Sequence, residues 1–571
     1  MSEKKEIASA LEKALSGKTK REEIEALLEI PPSPDLGDLA FPCFKLASIL
    51  KKAPQHISQQ LESMELPKGV EKAEALGPYL NFFLAKEGIA KQAIEAVLKE
   101  RGKYWKSKAG KGQKVMVEYS APNSNKPLHL GHLRNNSIGM AVSNILESSG
   151  HKVVRANLVN DRGIHICKSM LAYKQFGNGS TPKSSKKKPD HFVGDYYVMF
   201  NRKVKEEPGL EQQAYEMLQK WEKKEKATMA LWKKMTDWAV SGFKETYKEF
   251  GSMFDAWFFE SQLYDKALPL IKLGKKKGLF KENEDGALVA ELEKHGLPNK
   301  TVLRADGTSI YITNDLALTK HKFEGFKLRK AFWVVGNEQD LYLKQLFKIF
   351  ELLGFSWAKE CRHLSHGMVF LPSGKLKSRE GKVVDADEII AEMEGLAEEE
   401  IKKRGEKLPK KELARRSRAI GLAAIKFHML KVAVQKDLLF NPEESISFEG
   451  ETGPYIQYTH ARAKSILRKA KKHKKPSSFE QLSSPEEQAL SKLLSSYPAA
   501  VSKALEHLSP HVLCQFLIET AESFNSFYHK QPVLKAKDKE TKAQRLALVE
   551  ATAQVLKNGL ELLDIEAIEK M

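Results

Sequence analysis

Apolar positions recur at helical spacing near the N-terminus, in EIASALEKAL (6–15) and REEIEALLEI (21–30). A Pro/Gly-rich passage, PPSPDLGDLAFPCF (31–44), interrupts them, helical spacing returns through Leu61, and GPYLNFFL (77–84) predicts a strand. From about Lys111 the pattern becomes strand and helix in alternation. KVMVEYS (114–120) predicts a strand, 130–148 a helix, KVVRANLV (152–159) a strand and RGIHICKSMLAYKQF (162–176) a helix. KAFWVVG (330–336), a helix over 339–353 and the strand HLSHGMVFL (363–371) continue it. Such alternation predicts a parallel sheet with helices on both faces.

Between these halves lies an insertion over about 176–300, with SSKKKPD (184–190) as an exposed loop and a lysine- and tryptophan-rich helix near 212–250. Hairpin strands follow in GALVAEL and KTVLRADGTSIYI, the second turning at Asp-Gly. Beyond about 386 the spacing is helical throughout: 387–404, 409–430, 452–471, 485–505, 510–528 and 541–562. An all-α bundle is expected there, with KKHKKPSS (471–478) as a basic loop. Three segments follow: 1–108, α+β; 109–440, the parallel-sheet domain; and 441–571, all-α.

Charge and cysteine usage narrow the picture. Lys plus Arg number 94 against 74 acids, a net charge of +20 spread along the chain, which favours a polyanionic partner, nucleic acid before membrane. The four cysteines (Cys43, Cys167, Cys361, Cys514) form no CxxC pair, so neither a zinc ribbon nor a disulfide framework is expected, and a reducing compartment is. No apolar run is long enough to span a bilayer.

The candidate chemistry sits beyond strand ends, where doubly wound sheets bind ligands. In NSNKPLHLGHLRNNSIG (123–139), two histidines enter a helix whose N-terminus suits phosphate, and Gly131 lets the backbone approach a ligand. His129 and His132 can donate N–H to phosphate oxygens as charge grows on them. Alone, the same pair also fits a metal site or a solvated loop. A second loop, LPSGKLKSREGKVVDADEI (371–389), carries Lys375, Lys377, Arg379 and Lys382 around two glycines, as a departing polyphosphate requires.

HLGH resembles the HIGH signature, and KLKSR the KMSKS loop, of class I aminoacyl-tRNA synthetases. VEYSAPNSNKPLHLGHLR, YITNDLA, EQDLYLKQLF, GPYIQYTHARAKSIL, FNSFYHKQPVL and the C-terminal LALVEATAQVLKNGLELLDIEAIEKM resemble the arginine-specific family. The resemblance implies a Rossmann-like catalytic domain between a tRNA D-loop-contacting domain and an anticodon-binding bundle. It also implies a cytoplasmic ligase that uses ATP to form arginyl-adenylate and then charges the 2′-hydroxyl of the terminal adenosine of tRNA. Magnesium would arrive with ATP, no zinc is implied, a monomer is expected, and tRNA would have to be present before arginine is activated.

By the same resemblance, Pro122, His129, Gly131, His132, Lys375 and Ser378 would face ATP, and Gly367, Met368 and Val369 would line the adenine. Ser378 stands where the second signature lysine belongs, within a loop spanning 374–382; Lys126 would substitute for that lysine, or Lys377 or Lys382 would compensate. Glu118 and Asp315 would take the guanidinium, whose five donors demand acceptors, with Tyr311 beside them. An N-cap is the competing role for Asp315. Ser120, Asn123, Asp161 and Gln339 complete the expected arginine set, and Gly163 and His165 are further neighbours, His165 equally fitting a structural role. For tRNA the expected contacts are Tyr79 and Asn81, then Tyr455, Tyr458, His460 and Arg462; Phe82 and Phe83 fit a buried strand.

Overall fold

The computed structural model describes residues 2–571 other than 30, 32–35, 85, 263–265, 306–310, 373–383, 406 and 472–474. It divides into two compact units. One comprises residues 105–465, 497–521 and 555–571; the other comprises 1–104, 466–496 and 522–554.

The larger unit is built on a parallel sheet of strands β1 (Lys114–Glu118), β2 (Lys152–Val159), β3 (Ala256–Phe259), β4 (Lys330–Gly336) and β5 (Cys361–His366) in the order β5-β4-β1-β2-β3. The chain starts in the middle, runs out to β3 and returns to the other side of β1. That makes the β1–β4 boundary the switch point, where a crevice opens at the carboxyl ends.

On one face α1 (Leu130–Ser148) packs against the strands, and α2 (Ile164–Phe176), α3 (Pro189–Glu206), α4 (Gly209–Glu222) and α5 (Lys226–Phe250) join it in one apolar cluster. The other carries α6 (Tyr311–Phe326) and α7 (Asp340–Leu353). Helix α1 is buried nearly all round, as its run of small and apolar residues allows. Gly139 is needed there, because a Cβ would lie 2.2 Å from the Tyr119 ring. After the sheet come α8 (Ala386–Lys403), α9 (Lys410–Leu430) and α10 (Gly453–Ala470).

Four expectations need correction. The strand over 363–371 is broken: β5 ends at His366, and Val369–Phe370 pairs instead with Leu438–Leu439 in a separate ribbon. A Cβ at Gly367 would meet Lys436 and Asp437 backbone at 2.5 and 2.6 Å, so the chain turns there against a neighbouring segment. The stretch 176–300 contains β3, a strand of the main sheet. The single helix near 212–250 is two, separated around Lys224 in the left-handed region. Finally, SSKKKPD is solvated only in part, because Lys188 is ion-paired and Asp190 is fully buried.

The smaller unit holds a three-stranded antiparallel sheet with Tyr79–Leu84 in the middle, between Leu39–Pro42 and Val70–Leu76. Its helices pack Ile7, Leu11, Ile24, Leu46 and Ile57 against Phe41, Leu80 and Phe82. Among the described residues, no helix is long and apolar enough to cross a membrane.

Candidate active site

The segment after β1 leaves the sheet through two consecutive left-handed residues, Ser120 (φ 77°) and Ala121 (φ 48°). Such backbone costs on the order of 1–3 kcal/mol per residue and survives only when its surroundings hold it. Here they do. Asn135 Oδ1 accepts from Ser120 N at 2.6 Å, Asn157 Oδ1 from Ala121 N at 3.2 Å, and Ser120 Oγ lies 2.6 Å from the Tyr247 hydroxyl. Beyond the kink the chain rejoins the edge of β2: Asn160 N donates to Pro122 O, and Ser124 N to Asn160 O.

The segment then enters α1 with His129 as N-cap. His129 Nδ1 accepts from Gly131 N at 3.2 Å, and His132 Nδ1 accepts from His129 N at 3.0 Å. The two rings lie 3.9 Å apart. Burial, aided by the Lys126 ammonium, pushes His129 down to about 4 and drives His132 well below its ordinary value. Both imidazoles are therefore neutral at pH 7, with Nδ1 occupied as an acceptor. Each remaining proton must sit on Nε2, leaving two N–H donors at the helix N-terminus. A Cβ at Gly131 would press on the His129 ring at 3.0 Å, so the glycine makes room for that ring.

Arg134, two residues on and fully buried, ties the motif to the broken strand. It donates to the carbonyls of Gly367 (2.9 Å), Met368 (3.0 Å), Val434 (3.1 Å) and Lys436 (2.6 Å). Asn135 adds a bond to Val334 O at 2.7 Å. Arg134→Met would remove all four of these charge-assisted hydrogen bonds at once, although Gly367 N still donates to Val434 O and Leu438 N to Met368 O. Chemical denaturation should show a loss of about 3–5 kcal/mol.

Beside this motif a cavity of about 610 Å³ opens at the carboxyl ends of β1 and β4. Glu118, Asn123, His165, Asp315 and Gln339 all line it, together with Glu260, Glu338, Lys300, Lys322 and Tyr342. The acids outnumber the lysines by four to two. Lys322 is ion-paired with Glu118 and buried with it, its ammonium 5.1 Å from the Phe258 ring centre and 5.8 Å from that of Trp333. The ammonium meets the carboxylate at Oε2. Tyr342 donates its hydroxyl to Asp315. Asp315 sits in the second turn of α6, which excludes an N-cap role.

Burial holds the Asp315 carboxyl up to about 6, the Tyr342 bond and the Lys322 charge working against it. Burial, then the charges of Asp315 and Asp161, raises Glu260 to about 8. His165 Nε2 is also buried without a hydrogen-bond partner among the described residues.

Other expected residues are placed elsewhere. Ser120 does not line the cavity, and Asp161 is buried with its carboxylate bonded to Ser261 N (3.0 Å) and Oγ (2.7 Å). The Tyr311 side chain and residues 373–383, which include Lys375, Lys377, Ser378, Arg379 and Lys382, lie outside the described residues. Lys126 is half-buried just before His129.

Tyr79 packs edge-on against Phe44, which is itself exposed, whereas Asn81 and Phe82 are buried on the central strand. Arg404 and Arg462 lie over the Tyr458 ring at 5.1 and 4.6 Å, and Tyr455 is half-buried on the same helix. His460 is buried with Nδ1 2.9 Å from Ile568 O, a packing position rather than a contact surface.

Sequence reasoning missed Glu260, Lys322, Tyr342 and Arg134. Lys322 had a usable signal, since it lies seven residues after Asp315 and therefore on the same helix face. Glu260 follows a four-residue strand too short to be read from its pattern.

Residues 93–441 match the family model of class I tRNA synthetases (R), catalytic domain. Residues 456–571 match the DALR anticodon binding domain, and residues 3–84 the arginyl tRNA synthetase N terminal domain. The arginine–tRNA ligase of Treponema denticola is 42% identical over 559 residues, covering 95% of this chain and 94% of that protein. The arginine–tRNA ligase of Parabacteroides distasonis is 44% identical over 80% of each chain. The solved structure of Thermus thermophilus arginyl-tRNA synthetase superposes with a TM-score of 0.83 at 28% identity, over 99% of this chain and 100% of that one. The three domain matches fall in order along the chain and the full-length relatives share one specificity, so the chain belongs to the class I arginyl-tRNA synthetases.

Proposed function

We propose that the acidic cavity receives the side chain of L-arginine, and that the chain ligates arginine to its tRNA at the expense of ATP. The observation that carries this reading is the company of Glu118, Asp315 and Glu260 in one buried cavity beside the His129–His132 helix terminus. Arginine's guanidinium would lie against the Glu118 carboxylate, shared with Lys322, and against Asp315 held by Tyr342, with Glu260 as a third acceptor. Asn123 and Gln339 would take the amino acid's ammonium and carboxylate.

The Nε2–H groups of His129 and His132 would meet the ATP phosphates as the carboxylate of arginine attacks, joined by Lys126 and by Lys375 or Lys377. Pro122, Gly131 and Ser378 would border the nucleotide, and Gly367–Val369 the adenine. The arginyl group then passes to the terminal adenosine of tRNA, releasing AMP.

Magnesium would enter with ATP, held by phosphate oxygens. The described residues that group with metal-ligand spacing, Asp190, His191 and Asp387, do not fit it, because the Lys188 ammonium already lies 2.5 Å from Asp387. For tRNA we read Tyr79 and Asn81 in segment 1–108 as the D-loop contact and Tyr455, Tyr458 and Arg462 in segment 441–571 as anticodon contacts; the buried Asn81 is the least accessible of them. Action as a cytoplasmic monomer completes the proposal, supported by four free, buried cysteines as far as the compartment goes.

The test is aminoacylation of total tRNA with each amino acid in turn. Only arginine should be incorporated; charging with another amino acid, or with none, would refute the reading.

A pH dependence follows from the raised carboxyls. Near pH 7 the empty cavity keeps a proton on Glu260, whose value is about 8. A guanidinium favours the ionised form, so binding must expel that proton. The KM for arginine should fall as pH rises from about 6 to about 8, by up to roughly tenfold per unit. Calorimetry in buffers of different ionisation heat should show proton release on arginine binding. The stability of the ligand-free protein has the opposite sense: over the same window the unfolded chain binds fewer protons than the folded one, so stability declines as pH rises.

A further inference from the structure

Glu260 aside, the stretch 176–300 has no part in the chemistry so far, yet its first long helix touches the start of the phosphate-facing motif and the strip of backbone paired with it. The backbone pairs Leu128–Leu130 with Val384–Ala386. Leu130 N donates to Val384 O and Ala386 N to Leu128 O, each at 3.0 Å, with His129 bridged to Asp385. Asp385 also caps α8, its Oδ1 accepting from Asp387 N at 2.8 Å. The two aspartates therefore mark the strip of backbone against which His129 is set.

Both are held from α3. His191 Nε2 lies 2.9 Å from Asp387 Oδ2 and 3.4 Å from Asp385 Oδ2. Lys188 Nζ lies 2.5 Å from Asp387, 2.5 Å from Thr246 Oγ1 and 3.4 Å from the fully buried Asp190. Thr246 donates to Asp387 Oδ1 at 2.8 Å. Space around this cluster is closed: a Cβ at Gly242 would lie 2.2 Å from Asp190 Oδ1. One turn further along α3, a Cβ at Gly194 would lie 2.8 Å from Pro127, so the helix also backs the Lys126–Pro127 segment.

We propose that Lys188 and His191 are positioning residues: they latch Asp385 and Asp387 to α3 and so fix the backbone pairing that sets His129 at the ATP phosphates. The proposal rests on the arginine–tRNA ligase reading. The physical argument is one of tolerance, because a phosphate donor misplaced by about 1 Å can cost on the order of 100-fold in rate. A strip held by two backbone bonds alone would leave that margin unguarded. Lys188 carries a cationic donor and His191 a ring donor whose bond to Asp387 favours its protonated form, while Asp385 and Asp387 are acceptors, so the latch joins complementary groups in a half-buried place.

Three full-length variants, His191→Leu, Lys188→Met and Asp387→Asn, compared with His191→Gln, test this in steady-state aminoacylation. The first three should lower kcat by roughly 10- to 100-fold and leave the arginine KM within about twofold; the melting midpoint of the ligand-free protein should stay nearly unchanged in His191→Leu and Asp387→Asn, whereas Lys188→Met also takes the cation from the buried Asp190 and should melt lower. His191→Gln, whose amide can still donate to Asp387, should recover most of the rate. Unchanged kcat in the Leu, Met and Asn variants, or a rate loss tracked by equal losses in melting midpoint and arginine KM, would overturn the latch. Absence of arginylation by the wild-type protein would instead overturn the function on which it rests. Should His191→Leu fail to fold, Asp387→Asn, which keeps the side-chain shape, carries the same test.

Discussion

Asp315→Asn should weaken arginine binding by about 2–5 kcal/mol, roughly 30- to several-thousand-fold, while leaving the fold intact. The substitution keeps the volume and the Tyr342 contact but removes the charge that would face the guanidinium. Because burial already penalises that charge, the ligand-free variant should be at least as stable as the wild type at pH 7. Glu118→Gln should behave differently. It too removes a guanidinium acceptor, but it also leaves the Lys322 ammonium buried without its counter-charge. A further loss of about 3–5 kcal/mol in folding stability is therefore expected. Arginine KM and denaturant midpoints, measured on the same preparations, separate the two cases. Equal stability loss in both variants would show that Lys322 does not depend on Glu118, and an unchanged arginine KM in Asp315→Asn would remove Asp315 from the site.

His129→Asn should lower kcat by about 10²- to 10³-fold with little change in stability. Asparagine caps helices well, so the N-terminus of α1 keeps its side-chain acceptor. What is lost is the Nε2–H that the wild-type ring presents because its Nδ1 is engaged by Gly131 N. His129 is held down to about 4, first by burial and then by the Lys126 charge, so it stays neutral across the physiological range. The wild-type rate should accordingly show no inflection near pH 6.5 attributable to this histidine. A single-turnover measurement with saturating ATP and arginine reads the chemical step directly; retention of the wild-type rate would exclude His129 from it.

Much of this was legible in the sequence where periodicity is strong. The strands at 152–159 and 330–336 and the helix at 130–148 were read to the residue, since long apolar runs bounded by polar turns leave little choice. The C-terminal helices were similarly clear. What escaped were features set by tertiary contact. Ala256–Phe259 is four residues long and gains its identity only by pairing with β2. The break at Gly367 depends on the Lys436–Asp437 backbone, some 70 residues away. SIYI resembles a strand because its isoleucines are β-branched, yet Tyr311 and Ile312 open a helix, an instance of tertiary context overriding propensity. Of the cavity's lining residues, Glu118, Asn123, Asp315 and Gln339 are marked by motif resemblance and Lys322 by its seven-residue spacing from Asp315, whereas Glu260 needed three dimensions. An acid after a short strand carries no local mark of function. The latch residues were concealed for the same reason, Lys188 lying in a run that reads as solvated surface.

Inhibition of arginine-dependent aminoacylation by citrulline tests the guanidinium cavity most directly. Citrulline preserves the length and shape of arginine and replaces its cation with a neutral urea. The acidic cavity predicts a citrulline inhibition constant more than about 10³-fold above the arginine KM, since the urea brings no positive charge to the acids that outnumber the lysines there. An inhibition constant comparable to that KM would contradict the account.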